Sequence, residues 1–246
     1  MFMFKNIFWN LYAFCYDSLL GLNPYSEMLS IVASSLHLKS GENILNAGCG
    51  TGNLEILIAG NNSQTKIVSI DFSESMLKRA KNKCDRFNNI TFQEIDMNDT
   101  LPFPDQEFDK IVSVNALYAL ENPEKTMQEF ARVLKRNGIL TLVTPKKGCS
   151  APLILKAHRH KNESEELWRG DSFLKWLRLV FRAFGMSKTA LKFTLVAIFN
   201  KKLFKTMKVF ESAELEKILM RNGLDIVHAQ LIYGNQNLFL IAKRRL

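Results

Sequence analysis

The chain has 246 residues, 47% of them hydrophobic, and a net charge of +9 at neutral pH. That is enough apolar material for a real core, so a globular protein of one large domain is expected, with room for an insertion. Cys15, Cys49, Cys84 and Cys149 are scattered, with no C-x-x-C and no Cys/His pair at metal-ligand spacing. They read as reduced thiols of a cytosolic protein, and no metal is expected.

The charge is localised. Between Ala151 and Lys208 there are 13 Lys/Arg against 4 Asp/Glu, and the remainder holds 20 of each sign. A basic excess confined to one segment points to a surface for an anionic partner.

In chain order, the first twenty residues are very apolar (Met1, Phe2, Met3, Phe4, Ile7, Phe8, Trp9), but Lys5, Asn6, Asn10 and Asp17 interrupt them. Neither a signal peptide nor a membrane span is expected. Residues 3 to 20 read as a helix with Phe4, Phe8, Leu11, Tyr12 and Leu19 near one stripe, followed by a second helix from Tyr25 to Leu36. Lys39-Ser40-Gly41 then leads into the first strand.

Ile44 to Gly52 reads Ile-Leu-Asn-Ala-Gly-Cys-Gly-Thr-Gly, a short apolar strand running into three alternating glycines, with a helical run from Asn53 to Ala59 directly behind. Glycines here let the chain turn sharply and let a ligand lie against the backbone. The dinucleotide fingerprint G-x-G-x-x-G would need glycine where Asn53 stands, so the pattern is G-x-G-x-G. Lys66 to Ile70 is a β-rich run ending in Asp71, placed to accept hydrogen bonds from a ribose diol. Ser73 is a suitable N-cap for a helix to about Arg86. Ile90 to Met97 forms a third strand ending at Asp96. Lys110 to Val114 is continuous and apolar, as a strand buried on both faces should be, and ends at Asn115. A helix from Pro123 to Arg136, an Asn137-Gly138 turn and a strand from Ile139 to Thr144 follow.

These pieces, in this order, resemble the class I S-adenosylmethionine (SAM) dependent methyltransferases, in particular the type-11, quinone-biosynthesis-like small-molecule subgroup. The resemblance covers about residues 41 to 145 and the last 35. It implies SAM as cofactor and a Rossmann-like α/β fold: a seven-stranded, mostly parallel sheet with helices on both faces, an antiparallel last strand and a helical insertion after strand five. The implied cofactor-binding residues are Tyr16, Asn46, Gly48, Cys49, Gly50, Gly52, Asp71, Phe72, Met76, Asp96, Met97 and Asn115. Asp96 would contact the adenine amino group; Phe72 would stack on adenine or belong to the core. Asn46 departs from the pattern, which has Asp or Glu at this position near the cofactor's methionine end. Tyr16, beside Asp17, corresponds to a tyrosine that closes over the cofactor, or else is a core tyrosine of a packing helix.

After strand four the chain has Asn115-Ala116-Leu117-Tyr118, without the paired prolines of nucleobase N-methyltransferases. Nucleobase methylation is disfavoured, and Asn115 and Tyr118 become pocket candidates. No Ser/His/Asp or Cys/His constellation is present. If the acceptor must lose a proton, Tyr16, Tyr118, His158 and His160 are the candidate bases.

In the basic segment, Phe173, Trp176, Leu177, Val180, Phe181 and Phe184 fall on one face of a helix with Lys175, Arg178 and Arg182 off it. Ala190 to Phe204 is a second apolar run. The segment fits a substrate lid, a lid that also touches an anionic membrane surface, or a nucleic-acid surface, the last being disfavoured. Ser212 would cap a helix to Arg221, Gly223 would end it, and Leu224 to Leu231 with Asn237 to Ala242 would form a hairpin through Tyr233-Gly234-Asn235. The expected organisation is an N-terminal helical cover (1–40) and a methyltransferase domain (41–246) carrying a basic amphipathic lid (146–208). The expected activity is methyl transfer to a small-molecule or lipid-like acceptor, in the cytoplasm or peripherally at a membrane. An RNA-directed methyltransferase and a non-catalytic SAM-binding partner subunit are the alternatives. A nicotinamide oxidoreductase is disfavoured by Asn53 and Asp96.

Overall fold

Alternation of apolar residues along short strands builds a two-sided core here, in a computed structural model that describes residues 2–60, 64–160 and 208–245. Two helices come first, α1 (Phe2–Tyr16) and α2 (Asn23–Ser35), joined by a 3-10 turn at Asp17–Gly21. The α/β part runs β1 (Asn43–Ala47), α3 (Asn53–Ala59), β2 (Lys66–Asp71), α4 (Glu74–Lys83), β3 (Ile90–Glu94), β4 (Phe108–Val114), α5 (Pro123–Val133), β5 (Leu134–Pro145) and α6 (Ala151–His160). After residue 207 come α7 (Ser212–Arg221), β6 (Leu224–Ile232) and β7 (Asn237–Arg244).

The seven strands lie in the order β3-β2-β1-β4-β5-β7-β6. Neighbours from β3 to β5 pair in parallel, and β7 is antiparallel to both β5 and β6. Because successive side chains point to opposite faces, Ile44, Val112, Val143 and Phe239 join the core layer under α1, α2 and α3, while Leu45, Ile111, Leu142 and Leu240 join the layer under α5 and α7. The sheet is therefore covered by helices on both faces, as a mostly parallel sheet must be. The expected fold class holds.

Some boundaries differ from the sequence reading. The fifth helix stops at Val133, three residues before the expected Arg136, because Leu134 is fully buried and pairs with Phe108 at the start of β5. Arg132 fixes this end, with its guanidinium on Glu129, on Asp105 and on the carbonyls of Leu101 and Phe103. The Asn137-Gly138 turn lies inside β5, where Asn137 takes φ 62 and the register to β4 shifts. Ser73 does cap α4, accepting the Met76 N–H. Ser212 does not cap α7: it is the first helical residue, and its hydroxyl donates to Glu216 Oε1 at 2.7 Å. The third strand ends at Glu94, so Asp96 stands on the loop beyond it. The helix expected at 173–184 and the apolar run at 190–204 lie outside the described residues.

Candidate cofactor and active site

The sheet order reverses direction between β1 and β4, and in open α/β sheets ligands bind outside the strands' C-terminal edge at that place. The glycine loop sits there. Gly48 and Cys49 both donate their N–H groups to the Ile70 carbonyl, at 2.8 and 2.9 Å. The next N–H, of Gly50, donates to Asp71 Oδ2 at 2.9 Å, while Asp71 Oδ1 accepts the N–H of Ser73 at 2.9 Å. A carboxyl at the end of β2 thus anchors both the loop and the start of α4. Gly48 has φ 82, and a Cβ there would lie 2.3 Å from Ala116 Cβ. The loop can approach the segment after β4 only because this residue has no side chain.

One pocket opens beside this loop. Its floor is Gly48 and Gly50; one wall carries Asp71, Phe72, Met76, Ile95, Asp96, Met97 and Asn98, and the other Val114, Asn115, Ala116, Tyr118, Ala119 and Leu120. Trp9 and Tyr16 of α1 complete it. Of the twelve cofactor-binding residues expected from sequence, Tyr16, Gly48, Gly50, Asp71, Phe72, Met76, Asp96, Met97 and Asn115 line this pocket, and Asn46, Cys49 and Gly52 do not. Gly52 faces α4, where a Cβ would lie 3.0 Å from Ala80 Cβ, so it serves helix packing. Asn46 is buried behind the loop, its Nδ2 donating to Glu55 Oε1 at 2.6 Å.

Burial shapes the electrostatics. Desolvation, with the nearby charge of Asp96 adding to it, pushes the Asp71 carboxyl up to about 6 despite its backbone hydrogen bonds. Asp96 Oδ1 accepts both the backbone and the side-chain N–H of Asn98, at 2.9 and 2.7 Å. Tyr16 and Tyr118 are held protonated well beyond the usual phenol range by burial and by neighbouring tyrosines. Both phenols lie in the pocket wall, and Tyr16 Oη accepts from Tyr25 Oη at 3.3 Å. His158 and His160 belong to α6, but their side chains lie outside the described residues.

The cover is tied down by a polar knot. Asp17 Oδ1 accepts from Thr51 Oγ1 of the glycine loop at 2.5 Å and from Lys83 Nζ of α4 at 2.9 Å, and Lys83 also donates to Asn53 Oδ1. All five tyrosines of the chain gather on this side: Tyr12 contacts Tyr16, Tyr16 contacts Tyr25, Tyr25 contacts Tyr233, and Tyr118 faces Trp9. Asn115 takes φ 53, its Oδ1 accepting from Asn237 Nδ2 at 2.6 Å.

Sequence reasoning missed Trp9, Ile95, Asn98, Val114, Ala116, Ala119 and Leu120 as lining residues. Trp9 stands seven residues before Tyr16, two turns along the same helix face, a signal that was available once Tyr16 was placed. Asn98 had none beyond its nearness to Asp96.

Backbone N–H groups in a glycine loop, an acid at the end of β2 and an acid after β3 around one cleft define a Rossmann-like, nucleoside-binding α/β domain of the methyltransferase type. The chain belongs to the methyltransferase domain family, whose pattern residues 38–223 match. Among curated proteins it is similar to demethylmenaquinone methyltransferase of Tropheryma whipplei (strain Twist), with 38% identity over 107 residues, 44% of this chain and 43% of that one. It is also similar to phosphatidylethanolamine N-methyltransferase of Cereibacter sphaeroides, with 30% identity over 105 residues, 42% of this chain and 50% of that one. The match thus spans about half the length of these relatives. Among solved structures, a SAM dependent methyltransferase from Aquifex aeolicus superimposes with TM-score 0.58 over 92% of both chains at 19% identity, a likeness of fold.

Proposed function

We propose that the chain is a SAM-dependent methyltransferase acting on a small-molecule or lipid-like acceptor. The observation that carries this reading is the glycine loop hydrogen-bonded to Asp71, with Asp96 on the same wall of one cleft. In this reading Asp71 would receive the ribose hydroxyls and Asp96 the adenine amino group. Phe72 and Met97 supply apolar surface for the base, and Gly48 and Gly50 give close backbone approach. Bound there, SAM supplies an electrophilic methyl group on a sulfonium, and its displacement by the acceptor leaves a neutral thioether. The chain's own part is to align the acceptor and exclude water, which orientation alone makes worth several kcal/mol. Tyr16 beside Gly50, and Trp9 on the same side of the cleft, fit that task.

The acceptor class rests on three supports. Relatives named for a quinone and for a phospholipid headgroup set the range of acceptors. The acceptor side of the cleft is aromatic and apolar, with Trp9, Tyr118, Val114 and Leu120. The third support is charge: between residues 151 and 208 there are 13 Lys/Arg against 4 Asp/Glu, which suits a segment that meets an anionic membrane surface. The test is a transfer assay with methyl-labelled SAM and a lysate of the source organism, partitioned into organic, nucleic-acid, protein and aqueous fractions. Label in the organic phase is expected. Label in RNA would replace the lipid-like acceptor by a nucleic acid, and no label above a Gly50→Leu control would point to a non-catalytic SAM binder.

A further inference from the structure

The charged side chains that line the cleft are Asp71 and Asp96, and among the described residues no Lys, Arg or His lines it, although the chain as a whole carries a net charge of +9. An anionic acceptor would find no described counter-charge there. Much of the remaining lining is aromatic, from Trp9, Tyr16, Phe72 and Tyr118.

Trp9, half-buried on α1, joins the two walls. Its indole meets the Phe72 ring edge-on, with centroids 6.2 Å apart and planes at 89°, and the Tyr118 ring at 6.5 Å with the planes only 31° apart. Tyr16 stands beside Gly50, where an added Cβ would lie 3.8 Å from its ring. With a nucleoside on Asp71 and Asp96, the rings of Trp9, Tyr16 and Tyr118 are left for the sulfonium and the acceptor. The face of an aromatic ring is electron-rich, so it attracts a cation without neutralising it, and quaternary ammonium groups are recognised in this way. An enolate or phenolate would gain nothing from such faces.

We propose that the acceptor is an amine, held against Trp9 and Tyr118 as a cation when it docks and again once it is methylated. This rests on the reading that the cleft binds SAM, and names the acceptor class within it. The docked ammonium gives its proton to water. The nitrogen lone pair then forms the new N–C bond as the C–S bond breaks and its electron pair stays on sulfur. The positive charge passes from sulfur to nitrogen beside the same rings, and none has to be cancelled.

The test uses the full chain saturated with S-adenosylhomocysteine, so that the cofactor's place is filled, and compares the Kd of choline with that of 3,3-dimethylbutan-1-ol, a neutral molecule of the same shape. Choline should bind at least about tenfold more tightly, as cation–π contacts at a desolvated site would give. Trp9→Leu should bring the two probes to within about twofold of each other, and Trp9→Phe should keep a preference of at least about threefold. Equal binding of the two probes to the unaltered protein, or a preference untouched by Trp9→Leu, would overturn the proposal, as would tighter binding of 4-nitrophenolate than of choline. Should Trp9→Leu fail to fold, Tyr118→Leu takes its place, with the same loss of preference expected. If S-adenosylhomocysteine itself does not bind, the cofactor reading fails and the proposal with it, a result distinct from a saturated protein that does not tell the probes apart.

Discussion

Gly48 and Gly50 stand two residues apart in one loop, yet a methyl group added to each meets different surroundings. At Gly48 it would press on Ala116 Cβ at 2.3 Å, and at Gly50 it would come no nearer than 3.8 Å to the Tyr16 ring. Gly48→Ala should therefore destabilise the fold by about 1–3 kcal/mol through overpacking and left-handed strain, read as a lower denaturant midpoint. Gly50→Ala should cost about 1 kcal/mol, from its φ of 57 alone. Asp71 gives a second residue-scale prediction. Its pKa is raised to about 6 in the folded chain, so its contribution to stability without ligand is full below pH 4 and falls as pH rises through 6. Ribose hydroxyls favour the ionised carboxylate, so SAM affinity should run the opposite way. It should be about tenfold weaker at pH 5 than at pH 7, with the difference flattened in Asp71→Asn. Titration of Kd against pH checks both the sign and the size.

At the scale of elements, the cover and the loop are joined through Asp17, Thr51, Lys83 and Asn53. Asp17→Ala should speed hydrogen exchange across residues 8–21 and weaken SAM binding while exchange in β1 and β4 stays slow; unchanged exchange in the cover would contradict this. Ser73→Ala removes a cap whose hydroxyl also donates to Asn10 Oδ1 of α1 at 2.9 Å. It should cost about 1 kcal/mol, measured by thermal unfolding. These links show what local pattern can and cannot carry. The glycine spacing, the acids after β2 and β3 and the Ser73 cap were legible because each is written within a few residues. The knot at Asp17 joins residues 34 and 66 positions apart, and the Asn46–Glu55 bond depends on α3 lying against β1, so neither has a local signature. The end of α5 was misread for a similar reason: Leu134 to Arg136 can continue a helix, and only pairing with β4 draws Leu134 into the sheet.

For the whole molecule, alternation along six strands that run one way, with β7 inserted antiparallel between β5 and β6, places the crevice over β1 and β4 and two apolar layers beneath it. The order of elements was legible from the sequence because each strand is a short apolar run closed by a turn residue. That α1 brings Tyr16 to the crevice was expected from the resemblance, whereas the placing of Trp9 there was not, since the stripe of Phe8, Tyr12 and Leu19 fits any apolar surface. What α1 covers is the place assigned to SAM, and calorimetric titration of SAM into the unaltered protein and into Gly50→Leu tests that assignment most directly. The account predicts binding of one SAM per chain and a loss of at least about a hundredfold in the leucine variant, with its circular dichroism spectrum retained. A leucine variant that binds SAM as tightly as the unaltered protein would contradict it.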